Sequence, residues 1–328
     1  MLRAMLAPAV LVLAVYMRGV LLKSMGTVAR FSTPTTESDE SPHLPGVAGR
    51  AGGMMRGMET FVVPKEGEMS GESDRGRFFW YDLMTPDPEA AKAFYTAVMG
   101  WGTQLWEDQG MSYTMWTSGG APMGGTMKLP DEAVAGGARP HWLAYVGVPD
   151  VDAAASRARE LGGKVMVPPT TIPTVGRFSV LADPQGATVA AYKPDKAHPE
   201  PDGMPPVGHF SWHELAAPEP DAVFAFYEDL FGWEKTSTFD MGAMGMYQLF
   251  GRRGQAFGGI FNKPAEMPGP PAWLHYGRVA DVNAAVEAVR QHGGQVLHGP
   301  MEVPGGDQIV MVLDAQGGPF AVHQSMSE

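Results

Sequence analysis

The chain has 328 residues, 44% of them apolar, which suits about two domains of ~100–200 residues, each with a buried core. Its formal net charge of −12, without a basic stripe, excludes a nucleic-acid partner, because phosphate binding needs clustered Lys and Arg. Cysteine is absent, so disulfides, thiolate nucleophiles and Cys-ligated zinc are excluded too.

Residues 1–76 read differently from the rest. Ala4 to Met17 is an apolar run preceded by Arg3, broken by Pro8 and followed by Arg18 and Lys23. It is shorter than the ~20 residues of a spanning helix, so no stable membrane span is expected. Residues 32–76 are rich in Ser, Thr, Pro, Gly and Glu without apolar periodicity. Such a composition cannot bury enough surface to offset chain entropy. Three readings stay open: an export segment, a disordered extension, or a true start near Met69. The expected location is cytoplasmic, with export as the alternative if residues 1–24 act as a signal.

An internal repeat organises the remainder. Phe94-Tyr95 with Gly100-Trp101 returns as Phe226-Tyr227 with Gly232-Trp233. Trp142-Leu143 returns as Trp273-Leu274, Gly124-Gly125 as Gly258-Gly259, and Asp183-Pro-Gln-Gly186 as Asp314-Ala-Gln-Gly317. The copies span residues 77–194 and 208–325, joined by a Pro-rich linker at 195–207 that should be semi-rigid.

Within the first copy, Phe78 to Met84 alternates and reads as a strand. Pro86 to Met99 reads as a helix with Asp87 as N-cap, Gly100 as its stop, and Ala90, Phe94 and Val98 as its buried face. Strands are expected at 103–107, 113–118 and 124–129, where Gly124-Gly125 should permit a bulge or bend. The order then recurs: strand 141–148, helix 151–161 closed by Gly162-Gly163, and strands 164–167, 177–182 and 188–193. The unit is βαβββ, four times over, an α+β fold in which helices cover one face of each sheet.

These residues resemble the vicinal oxygen chelate superfamily, the glyoxalase/bleomycin-resistance/dioxygenase type. The resemblance rests on the helix start Asp87-Pro-Glu-Ala-Ala-Lys-Ala-Phe-Tyr95, Gly100-Trp101, Val148-Pro-Asp150-Val-Asp152, Gly162-Gly163 and Asp183-Pro-Gln-Gly186, and covers about residues 77–325. The opening Phe-Phe-Trp-Tyr-Asp-Leu-Met-Thr is similar to a two-domain group labelled hydroxylase or glyoxalase-like. The resemblance implies two tandem domains with cupped mixed sheets that hold a small molecule. Any enzyme of this kind would be a lyase, isomerase or oxygenase.

Metal-dependent members of the superfamily carry His, Gln or Glu on the first strand of each module and Glu on a final strand. Here those positions fall on Trp80, Leu143 and Ala190, and again on Trp212, Leu274 and Ala321. None of these side chains donates to a divalent cation, so no metal cofactor is expected, although a displaced metal site stays open as the alternative. Side chains alternate across a sheet, which puts Trp80, Asp82, Tyr145 and Tyr192 in one cup as ligand-binding candidates. Trp212 takes that role in the other. Glu214, Tyr276 and His323 form a candidate acid/base set there, with the carboxylate orienting the histidine and the tyrosine donating to an oxyanion. The partner expected is a small organic molecule. Whether modules pair within one chain, and whether the protein is a homodimer, the residues leave open.

Overall fold

The computed structural model describes residues 74–326 apart from 109–110, 136, 197, 199–202, 243–244, 266 and 268. The Ala4–Met17 run and the Met69 start lie outside the described residues. The first copy runs β1 (Phe78–Thr85), α1 (Pro88–Met99), β2 (Gly102–Asp108), β3 (Met111–Ser118), β4 (Ala121–Lys128), a short α2 (Asp131–Ala135), β5 (His141–Gly147), α3 (Val151–Glu160), β6 (Lys164–Ile172), β7 (Gly176–Ala182) and β8 (Thr188–Pro194). The second runs β9 (Phe210–Ala217), α4 (Pro220–Phe231), β10 (Glu234–Asp240), β11 (Met246–Arg252), β12 (Gln255–Asn262), β13 (Ala272–Arg278), α5 (Val282–Gln291), β14 (Gln295–Glu302), β15 (Gln308–Leu313) and β16 (Pro319–Gln324).

Each copy forms one open eight-stranded sheet, in the order β2-β3-β4-β1-β5-β8-β7-β6 and its counterpart β10-β11-β12-β9-β13-β16-β15-β14. The two modules of a copy meet at the antiparallel pair β1–β5 or β9–β13. Parallel pairs flank that seam, β1–β4 and β5–β8 in the first copy, β9–β12 and β13–β16 in the second. Modules therefore pair within a copy, the question the residues left open.

Local chemistry explains the helix ends. The Asp87 carboxylate accepts from the Glu89 and Ala90 amides at 3.1 Å each, Pro88 opens α1, and Gly100 closes it at φ 69°. The buried face of α1 is Ala91, Phe94, Tyr95, Val98 and Met99. Ala90, expected on that face, is exposed. The stripe is one residue out of phase because Tyr95 and Met99 share it with Phe94 and Val98.

What buries these helices is the other copy. The residues of α1 pack with Val282, Ala285, Val286 and Val289 of α5 in one cluster, and α3 packs with Val223, Phe224, Phe226 and Tyr227 of α4 in a second. Both cores thus span the two domains. At the midline Phe78 stacks on His213 with ring centres 3.7 Å apart, and Tyr81 lies 4.1 Å from Phe210.

Reciprocal clasps lock this arrangement. The Gln316 side chain accepts from the Asp87 amide at 2.7 Å and donates to the Asp87 carbonyl at 2.8 Å. Gln185 does the same for Glu219 at 2.9 and 2.8 Å. Trp101 Nε1 donates to the Gly208 carbonyl at 2.7 Å, and Trp233 Nε1 to the Gly76 carbonyl at 2.8 Å. Tyr95 donates to Asp314 at 3.0 Å and Tyr227 to Asp183 at 2.8 Å. The Gly-Trp and Asp-x-Gln-Gly repeats are the parts with which each domain grips its twin.

Candidate functional site

The concave faces of the sheets and the groove beside them make up a hollow of about 1910 Å³. Trp80, Asp82, Tyr145 and Tyr192 line it from the first copy, and Trp212, Glu214, Tyr276 and His323 from the second.

At the centre of each cup is a buried carboxylate held by tyrosines. Asp82, 4% exposed, accepts from Tyr145 at 2.8 Å, from the Trp80 indole at 3.1 Å and, closest of all, from Tyr113. Glu214, 9% exposed, accepts from Tyr247 and Tyr276 at 2.8 Å each. The Trp80 and Trp212 indoles each donate to the Tyr113 or Tyr247 hydroxyl at 2.9 Å. Burial raises the pKa of both carboxyls, against the tyrosine hydrogen bonds that pull them down. Burial and the neighbouring carboxyl push Tyr113, Tyr145, Tyr247 and Tyr276 well up.

Sequence reasoning did not single out Tyr113 and Tyr247. The signal lies in the paired glycines. A Cβ on Gly125 would fall 1.8 Å from the Tyr113 hydroxyl, and one on Gly259 would fall 2.1 Å from Tyr247 Cζ. Only glycine lets the ring of the neighbouring strand lie flat and reach the carboxylate. That close approach accounts for the second glycine of each pair, and the first glycine lies beside the expected bulge. The register shifts between β3 and β4 and between β11 and β12 lie beside the first glycine of each pair, since Trp116 pairs with Gly124 but Thr117 with Pro122, and Phe250 pairs with Gly258 but Gly251 with Ala256.

The expected acid/base set divides into two groups. Glu214 and Tyr276 are joined directly, so the Tyr276 proton is committed to the carboxylate rather than presented to an oxyanion. His323 takes its partners elsewhere: Nδ1 lies 2.8 Å from Ser211 Oγ, and Nε2 lies 2.9 Å from Asp307 Oδ2. The carboxylate that orients His323 is therefore Asp307, not Glu214. Tyr192, at the edge of the first cup, donates to the Val175 carbonyl at 2.9 Å.

The cups differ in how fully they are packed. In the first, Leu143, Tyr145, Val167, Phe178, Val180 and Ala190 form a buried cluster of their own. Strand register matches Phe178 with Ile309, Val180 with Met311 and Val167 with His298. There Leu274, Ile309 and Met311 are only half-buried and His298 is exposed. Phe239 and Met301 line the hollow and are 43% and 37% exposed.

Histidine also pairs away from the cups. His213 Nδ1 lies 3.0 Å from His275 Nδ1, across β9 and β13, and His213 Nε2 is 3.3 Å from the Tyr81 hydroxyl. Burial lowers the pKa of both, to about 3 for His275 and well down for His213, where the neighbouring His275 adds to the effect. Both rings are neutral and belong to the contact between the domains.

Two open sheets, each built from paired βαβββ modules with a lined concavity, define a double-cup α+β class. The chain belongs to the Glyoxalase/Bleomycin resistance protein/Dioxygenase superfamily, whose model matches residues 77–191 and 207–322. It is 33% identical over 249 residues to the putative glyoxylase CFP32 of Mycobacterium tuberculosis, covering 74% of this chain and 92% of that one. It is 28% identical over 256 residues to the anthracycline biosynthesis protein DnrV of Streptomyces peucetius, covering 74% and 91%. Among solved structures, the Mn(II)-bound glyoxalase from Novosphingobium aromaticivorans shares the fold, with a TM-score of 0.54, 17% identity, and coverage of 78% of this chain and 84% of that one. The 2,3-dioxygenase LapB from Pseudomonas does likewise, at 0.53, 13%, 77% and 93%.

Among the described residues, no three His, Asp or Glu side chains converge as a metal centre would require. No helix among them is long and apolar enough to cross a membrane.

Proposed function

We propose that the protein binds a small, planar, largely apolar organic molecule in its second cup and does so without the divalent metal of its superfamily. The observation that carries this reading is the contrast in packing. The second cup leaves Leu274, Ile309 and Met311 half-buried near the buried Glu214, where the first buries Leu143, Phe178 and Val180, while Trp80 and Trp212 are half-buried alike. An apolar wall with a few placed polar groups is the usual makeup of a small-molecule pocket. The likeness to two anthracycline biosynthesis proteins favours a fused-ring ligand, whose flat face suits the Trp212 indole.

The donor set does not fit a metal. Trp, Leu and Ala stand at the superfamily's ligand positions in both copies. The one carboxylate near each set is already held by two phenols. Native mass spectrometry of the chain, purified without a metal-affinity tag or added metal, tests the reading. The expected result is at most one co-purifying organic molecule per chain and divalent metal far below one per domain. Near-stoichiometric metal in each domain would overturn it.

A further inference from the structure

The second cup contains a relay that the first lacks. At the β9–β13 seam Tyr276 pairs with Trp212 and Gly277 with Phe210, so Ser211 is the extra residue of a β-bulge. Bulges re-aim side chains beside functional sites. This one sets Ser211 on the lining of the hollow, together with His323 and Asp307. Ser211 Oγ meets His323 Nδ1 at 2.8 Å, with a longer 3.4 Å approach to the Tyr276 carbonyl. On the other side of the ring Nε2 meets Asp307 Oδ2 at 2.9 Å. The second Asp307 oxygen accepts from the Met326 amide at 2.9 Å. With Nε2–H donated to Asp307, the free lone pair of His323 lies on Nδ1 and faces the serine hydroxyl.

The equivalent bulge in the first copy carries Phe79, between Phe78 and Trp80. Register puts Tyr192 where His323 stands, and Gly176 where Asp307 stands. All three members are replaced there, so the relay does not follow from the fold.

We propose that Ser211 is a nucleophile, with His323 as its general base and Asp307 as the residue that positions the imidazole, and that the site takes a carboxylic ester with an apolar body. Nucleophile and base within hydrogen-bond reach, and the base oriented by a third group, is the signature of an activated serine. The apolar body would lie against Trp212, beside the serine in sequence, and Ile309, the strand partner of His323. In the step, Ser211 Oγ bonds to the acyl carbon and its proton passes to His323 Nδ1. The ester C–O bond breaks and the alcohol leaves with that proton. Water then attacks the acyl-serine, giving a proton through the same nitrogen, and the carboxylic acid departs from a restored Ser211.

The test uses diisopropyl fluorophosphate on the full chain, read by peptide mass spectrometry. Its P–F bond breaks as Oγ–P forms, whatever molecule the cup binds, so the outcome is separate from that of the ligand reading. Ser211 is expected to label about a hundredfold faster than any other serine, the typical effect of a positioned base. His323→Gln should bring its rate down to theirs. Asp307→Asn should lose most of the rate and Asp307→Glu recover part of it, at unchanged melting temperature. Labelling of wild-type Ser211 no faster than other serines would overturn the proposal, with no dependence on a variant folding. A Ser211 rate indifferent to His323→Gln would overturn it as well. A rate indifferent to Asp307→Asn would remove Asp307 from the relay.

Discussion

The two cups share one architecture and diverge in their contents. Each holds a carboxylate under two tyrosines and a tryptophan, and each makes room for one tyrosine with a glycine on the neighbouring strand. Around that common centre the first cup buries Phe178, Val180 and Val167, while the second has Ile309, Met311 and His298 in their places, more exposed. Full burial of such a side chain is worth about 1.5–3 kcal/mol, so the first cup contributes core where the second leaves space.

The largest expected effect separates the cups by how far they can yield. Gly125→Ala should destabilise the chain by about 3 kcal/mol, the upper end of overpacking costs, because the displaced Tyr113 ring has packed neighbours. Gly259→Ala should cost clearly less, since Tyr247 can swing into the open second cup. Urea denaturation of both variants checks this, and equal costs would break the distinction between a filled and an open cup.

Next comes an effect that belongs to neither cup. His213 and His275 are held neutral at the domain contact, with folded pKa values below the unfolded value of about 6.5. Their stabilising preference for the neutral form is present above that value. It is lost as pH falls, because the unfolded chain takes up protons that the folded chain does not. The cost should reach about 2 kcal/mol per histidine between pH 6.5 and 5. Denaturation at a series of pH values measures it, and a flat profile would contradict the buried neutral pair.

The smallest effect treats the cups alike. Asp82 and Glu214 have raised pKa values, so the stability gained from their protonated forms is present at low pH and lost as pH rises through the folded value. Asp82→Asn and Glu214→Gln remove that loss, so each variant should gain stability relative to the wild type as pH rises from 5 to 8. Melting curves at the two pH values sharpen the comparison. A gain at only one site would show that the carboxylates are not equivalent.

Much of the fold was legible because the repeat was written four times. Asp87 and Gly100 bracket α1 as their cap chemistry implies, and period-2 alternation put Trp80, Asp82 and Tyr145 on one face. Contacts between strands distant in sequence were hidden. The partner of Asp82 on β3 and that of Glu214 on β11 are set by sheet order, and the Gly-Gly pairs carried the only trace of them. Ser211 was hidden by a bulge that shifts it out of strict alternation. Asp307 sits in the turn before β15, outside any periodic pattern. The Gly-Trp and Asp-x-Gln-Gly motifs were conspicuous in the sequence, yet they are clasps between domains, which a linear reading cannot separate from parts of a site.

The second cup, not the first, is the proposed ligand site. Titrating the chain with a dihydroxyanthraquinone while following tryptophan fluorescence, in Trp80→Ala and Trp212→Ala side by side, tests it most directly. Trp212→Ala is expected to weaken binding at least about tenfold, the ~1.4 kcal/mol of a lost aromatic stack, and Trp80→Ala to leave it within about twofold. Equal losses in the two variants, or a loss confined to Trp80→Ala, would contradict it.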